Sequence, residues 1–178
     1  IFGLYFASLD IRQESTIHGN ILEHISQVSE CLPSGYAAFS DDEKMTALLS
    51  VTKPVDSDTL TDELAKDTIE TIKAVKRIRQ ANGDQACERY VISQCQSALN
   101  AIEVYGLFLL GGWNADELTL DIVPLFETIT DLRNAAPVMR QLYQIPLYRQ
   151  HLARRGDKQT IMLGFSDGTK DGGYMMAN

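Results

Sequence analysis

An α/β fold built on a parallel sheet is what this sequence predicts, and three observations predict it. Apolar, β-prone runs alternate with stretches of helical periodicity about four times along the chain. Three of the apolar runs break off at a charged residue, SLDI into Arg12, VPLF into Glu127 and MLGF through Ser166 into Asp167. With 178 residues, 44% of them hydrophobic, the chain can bury a core as one domain spanning residues 1–178. Four strand-helix units suit half of an eight-stranded barrel or an open doubly wound sheet, and periodicity leaves both open.

The balance of 24 acidic against 16 basic residues gives a net charge of −8, which opposes a general grip on a phosphate backbone and excludes nucleic acid as an expected partner. An anionic ligand would need a local cluster of cations. Cys31, Cys87 and Cys95 are widely spaced and form no CxxC pair, so neither a disulfide framework nor a zinc site is expected and a cytoplasmic setting is the default. The apolar opening IFGLYFASLDI is too short to span a bilayer, and no membrane role is expected. Because the chain starts at Ile1 within a strand-like run and stops at Asn178 just into a helix, it reads as a fragment of something larger.

Taken in order, Ile1 to Ile11 has the pattern of a strand covered on both faces, ended by Arg12. Ile17, Ile21, Ile25, Val28 and Leu32 then mark one face of a helix that Pro33, Ser34 and Gly35 stop. Ser40 and Glu43 have capping-box spacing and open a short helix through Leu49. From Asp58 a longer amphipathic stretch turns Leu60, Leu64, Ile72, Val75 and Ile78 inward, until Asn82 and Gly83 end it. Tyr90 to Ile92 is a short strand, and Ala98, Ile102, Tyr105 and Leu109 mark a helix closed by Gly111 and Gly112.

Leu118 to Phe126 is again strand-like and gives way to Thr128 and Asp131, a second capping-box spacing. Pro137 and Pro146 each suit the first turn of a new helix. Arg154 and Arg155 fall in a last turn before Gly156, with the run Arg149 to Lys158 as a solvated face. Thr160 to Phe165 is the final strand, and SDGTKDGG after it is a loop leading into a helix start. His18, His24 and His151 lack metal-pair spacing and read as structural, while Trp113 reads as a loop anchor.

If the strands are parallel, Arg12, Glu127, Asp167 and Lys170 lie on one rim, at the strands' carboxyl ends. Two carboxylates with few other ligands are what Mg²⁺ or Mn²⁺ uses when water and substrate oxygens complete the shell. An arginine opposite can clamp a phosphate or carboxylate through paired hydrogen bonds. The plainer reading makes Glu127 and Asp167 helix caps and pairs Arg12 with Asp10 or Glu14.

Four motifs in this order, LDIRQEST at Leu9 to Thr16, YVIS at Tyr90 to Ser93, VPLFETITDLRNA at Val123 to Ala135 and GFSDGTKDGG at Gly164 to Gly173, resemble the phosphoenolpyruvate carboxylase family, its bacterial branch above all. The likeness runs from end to end. It implies a helix-rich, partial (β/α) TIM-type barrel, about four of the eight units of the catalytic domain of a homotetrameric cytoplasmic lyase. Such enzymes convert phosphoenolpyruvate and bicarbonate to oxaloacetate and phosphate with Mg²⁺ or Mn²⁺. By motif match, Glu127 of PLFET and Asp167 of FSDGTK resemble the metal ligands, Arg12 of DIRQE a holder of the substrate phosphate, and Lys170 a catalytic residue near bicarbonate.

The loop departs from commoner family versions at Gly168, Thr169, Gly172 and Gly173. The family's glycine-rich catalytic loop and inhibitor-binding region are expected beyond Asn178, so this chain alone is expected to be inactive. A competing function is a non-catalytic acidic helical interaction module, for which the strand ends would diverge. A stand-alone phosphate-binding domain ranks below both, because the glycines lack GxGxxG or phosphate-loop spacing.

Overall fold

The computed structural model of the protein describes residues 7–177, with side chains through residue 175. Four parallel strands, β1 (Leu9–Glu14), β2 (Cys87–Ser93), β3 (Asp121–Phe126) and β4 (Met162–Leu163), form one sheet in the order β1-β2-β3-β4. Each strand therefore neighbours the next in sequence. Helices α1 (Ser15–Val28), α2 (Asp41–Leu49) and α3 (Glu63–Asn82) connect β1 to β2, and α4 (Ala98–Leu110) connects β2 to β3. Helices α5 (Ile129–Gln144) and α6 (Pro146–Arg154) lead to β4, followed by α7 (Phe165–Gly172) and α8 (Tyr174–Ala177).

The side-chain alternation of the strands separates two apolar clusters. Tyr90, Ile92, Ile122 and Phe126 join the main core with the helices, while Val91, Val123 and Leu125 form a second buried cluster with Met162. Helices thus cover one face of the sheet. Behind that face α4 is buried along nearly its whole length, and α1, α2 and α3 pack on it. A Cβ on Gly106 of α4 would lie 2.6 Å from Leu48 Cδ2, so only glycine lets α2 approach this closely.

Several local expectations hold for the reasons given. Ser40 accepts from the Glu43 amide while Glu43 Oε2 accepts from the Ser40 amide at 2.8 Å, completing the capping box of α2. Thr128 and Asp131 do the same for α5, Pro146 opens α6, and Gly83 ends α3 at φ 90°. Trp113 is 5% exposed and its indole N–H donates to Ile72 O at 3.2 Å, so it does anchor its loop.

Other expectations need correction. Residues 1–6 of the first expected strand lie outside the described residues; within them β1 begins at Leu9 and runs through Arg12 to Glu14, because each residue keeps a partner on β2. It is not covered on both faces: Leu9 is 54% exposed. Helix α3 starts at Glu63, since Asp62 rather than Asp58 accepts from the Ala65 amide, and Leu64 faces outward. Pro137 sits inside α5 instead of opening a helix, because the Thr128 cap has already started the helix two turns earlier.

Arg155 does not belong to a solvated face, for it pairs with buried Asp121 at 2.8 Å. The last strand shrinks to Met162–Leu163, and the expected SDGTKDGG loop is helical over Phe165–Gly172. That helix has little intrinsic propensity, with glycine at positions 168 and 172, so tertiary contacts must hold it.

Candidate functional site

Strand alternation decides which side chains reach the rim. Arg12 lies opposite Val91, and Val91 opposite Val123, so Arg12 shares the face turned away from the helices. Glu127 follows Val123 and Leu125 at the same two-residue period, immediately after β3, and projects to that face at the strands' carboxyl end. There Arg12 Nη2 donates to Glu127 Oε1 at 2.9 Å, across the end of the intervening strand β2. The expected local pairing of Arg12 with Asp10 or Glu14 does not form; Asp10 instead faces Arg89 at 3.4 Å.

The second carboxylate oxygen of Glu127 accepts the Gln94 amide at 3.0 Å. Gln94 presents that amide because it turns the chain after β2 with a positive φ of 53°, and its carbonyl accepts from buried Ser15 Oγ at 2.8 Å. Glu127 caps nothing. Its side chain is 15% exposed, and each of its two oxygens accepts one hydrogen bond.

Asp167 and Lys170 occupy α7, which sits directly over this strand end. Gly164 at its head donates to Phe126 O at 2.8 Å, and a Cβ on Gly164 would lie 3.0 Å from Glu127 Cα. A side chain there would have to push Glu127 back by a few tenths of an ångström. Asp167, one turn on, lies in the first turn of α7, 3.8 Å from Lys170 Nζ, with both side chains more than half exposed. The Asp171 carboxylate accepts the Ile129 amide at 2.9 Å, tying the far end of α7 to the head of α5.

Sequence reasoning missed Gln94, Gly164 and Asp171. The left-handed backbone at Gln94 has no glycine to signal it, and Gly164 is masked by the apolar run around it. Asp171 was legible only as a charge in a glycine-rich stretch.

Glu127 and Asp167 each offer a carboxylate, a hard oxygen donor. Among the described residues no group of three or more histidine, cysteine or acidic side chains gathers as a ready cage. Carboxylate oxygens of this kind suit Mg²⁺ or Mn²⁺ better than zinc, which favours nitrogen and sulfur ligands.

The class the geometry defines is an α/β chain with a parallel sheet, whose strand ends carry a paired arginine and carboxylate beside the head of a short helix. The chain belongs to the phosphoenolpyruvate carboxylase family: the family description "Phosphoenolpyruvate carboxylase" matches residues 1–178. It is 36% identical over its whole length to a protein of that name from Prochlorococcus marinus subsp. pastoris, and 33% identical to one from Gloeobacter violaceus. It spans 19% and 20% of the length of these relatives. No helix among the described residues is long and apolar enough to cross a membrane.

Proposed function

We propose that this chain forms part of the catalytic α/β unit of a phosphoenolpyruvate carboxylase, a lyase joining bicarbonate to phosphoenolpyruvate to give oxaloacetate and phosphate. The observation that carries the reading is the Arg12–Glu127 pair, which joins the ends of β1 and β3 over the strand between them. Sequential strand order with helices on one face supports a partial (β/α) barrel over a doubly wound sheet, which would reverse its order. Convergence of Arg12 and Glu127 likewise favours the carboxylase over an acidic interaction module. The homotetramer and the cytoplasmic setting rest on the family resemblance.

Glu127 and Asp167 would hold Mg²⁺ or Mn²⁺, which when bound supplies electrostatic stabilisation of negative charge developing on a substrate oxygen. Arg12 is fixed by Glu127 with its side chain half exposed, so its N–H groups without a partner among the described residues would take the substrate's phosphoryl oxygens. The Gln94 amide holds the Glu127 carboxylate against rotation, which keeps the rim preorganised. Lys170, 76% exposed on α7, offers a cation to the smaller anion, bicarbonate, as it approaches.

The test replaces the matching stretch of the Prochlorococcus marinus relative with this chain and measures oxaloacetate formation. Metal-dependent turnover should appear and should fall roughly a hundredfold or more in Asp167→Asn, with the circular dichroism unchanged. Turnover indifferent to that substitution would refute the assignment.

A further inference from the structure

We infer that Asp171 is a positioning residue: its carboxylate pins the rim helix α7 against the head of α5 and so fixes Asp167 and Lys170 relative to Glu127. The significance for catalysis rests on the function proposed above; the pinning itself does not.

Asp167 lies between two attachments of α7 to one short segment of chain. On one side the Gly164 amide donates to Phe126 O at 2.8 Å; on the other the Asp171 carboxylate accepts the Ile129 amide at 2.9 Å. Phe126 and Ile129 are the residues on either side of Glu127 and Thr128, so both attachments register α7 directly on Glu127. Without the second, the hydrogen bond at its head would be the one such attachment to this segment that remains. Its two internal glycines disfavour helix, Phe165 is 55% exposed, and the Asp167–Lys170 pair at 3.8 Å is solvent-exposed and weak.

The tether also suits the partner it finds. The Ile129 amide is at the first position of α5, a sixteen-residue helix, where the amides lack partners within their own helix and the dipole favours an anion. Asp131 Oδ2 already takes the Glu127 and Thr128 amides at 3.4 and 3.0 Å, leaving Ile129 as the next amide to satisfy. Asp171 completes that set from 42 residues away.

The experiment compares the chain with Asp171→Ala and Asp171→Asn, reading backbone amide exchange by NMR and residue-specific line broadening on addition of Mn²⁺. In Asp171→Ala the amides of Ile129 and of α7 should exchange about tenfold faster or more, with those of α4 unchanged. Asp171→Asn, which keeps an acceptor oxygen, should restore protection. Unchanged α7 exchange in Asp171→Ala, or no rescue by asparagine, would overturn the inference. If α7 loosens as expected while Mn²⁺ broadens nothing in the unsubstituted chain, the tether stands and the metal reading falls. Broadening that centres on Glu127 and Asp167 in a chain whose α7 ignores Asp171→Ala sinks the tether and spares the metal reading.

Discussion

Arg12 and Glu127, 115 residues apart in sequence, meet at 2.9 Å above the end of a strand that contains neither of them. The parallel ladder puts them there: Arg12 pairs with Val91 and Val91 with Val123, and the two-residue period then carries β3 on to Glu127. Because the arginine is half exposed, the pair contributes little to stability, about 0.5 kcal/mol. Arg12→Gln should therefore leave the thermal midpoint nearly unchanged. In the grafted relative the same substitution should raise KM for phosphoenolpyruvate, and a normal KM would remove Arg12 from the phosphate site.

Gly164 makes a sharper structural prediction. A methyl group there would meet Glu127 Cα, Cγ and Cβ at 3.0 to 3.3 Å, and the backbone cannot give way as a flexible side-chain tip can. Gly164→Ala should cost about 1–3 kcal/mol and displace Glu127. Loss of the hydrogen-bonded shift of the Gln94 amide, seen by NMR, reports that displacement; an unmoved resonance would contradict it.

Glu103 is buried in α4, where desolvation pushes its carboxyl up to about 7 although Asn100 donates to it at 3.1 Å. The folded chain then holds a proton the unfolded chain has released, so stability falls as pH rises from about 4.5 through 7. Glu103→Gln should remove that penalty, on the order of 2 kcal/mol at pH 8. Urea unfolding at pH 5 and pH 8 checks it, since the gain should appear only at the higher pH.

His18 and His151 act in the opposite sense. Burial lowers each to about 4; His151 Nδ1 donates to Leu118 O at 2.9 Å, and its buried Nε2 has no partner among the described residues. Below pH 6.5 the unfolded chain takes up protons that the folded chain refuses, so stability declines between pH 6.5 and 4. Two histidines against one glutamate leave a net loss on acidification and a stability maximum near pH 6.5. Trp113 fluorescence in urea across that range tests it; a flat profile would mean the imidazoles are accessible.

The class of fold was legible because the period of two and the period of 3.6 alternate cleanly around Tyr90, Ala98 and Val123. Caps at Ser40 and Thr128 were legible because each satisfies backbone groups within one turn, and Pro146 because a first-turn proline has no amide to satisfy. Local signals failed where tertiary contacts decide. The α7 segment reads as a loop from its glycines, yet Gly164 and Asp171 hold it as a helix against Phe126 and Ile129. Arg12 was placed on the rim by strand-end reasoning, but its choice of Glu127 over Asp10 and Glu14 depends on register, which one strand alone does not encode.

The most direct test measures Mn²⁺ affinity by electron paramagnetic resonance for the chain, Glu127→Gln, Asp167→Asn and the double substitution. If both carboxylates hold one ion, each single change should weaken binding about tenfold or more, and the double change should weaken it further. Affinity unaffected by one of the two substitutions would show that Glu127 and Asp167 do not share a metal.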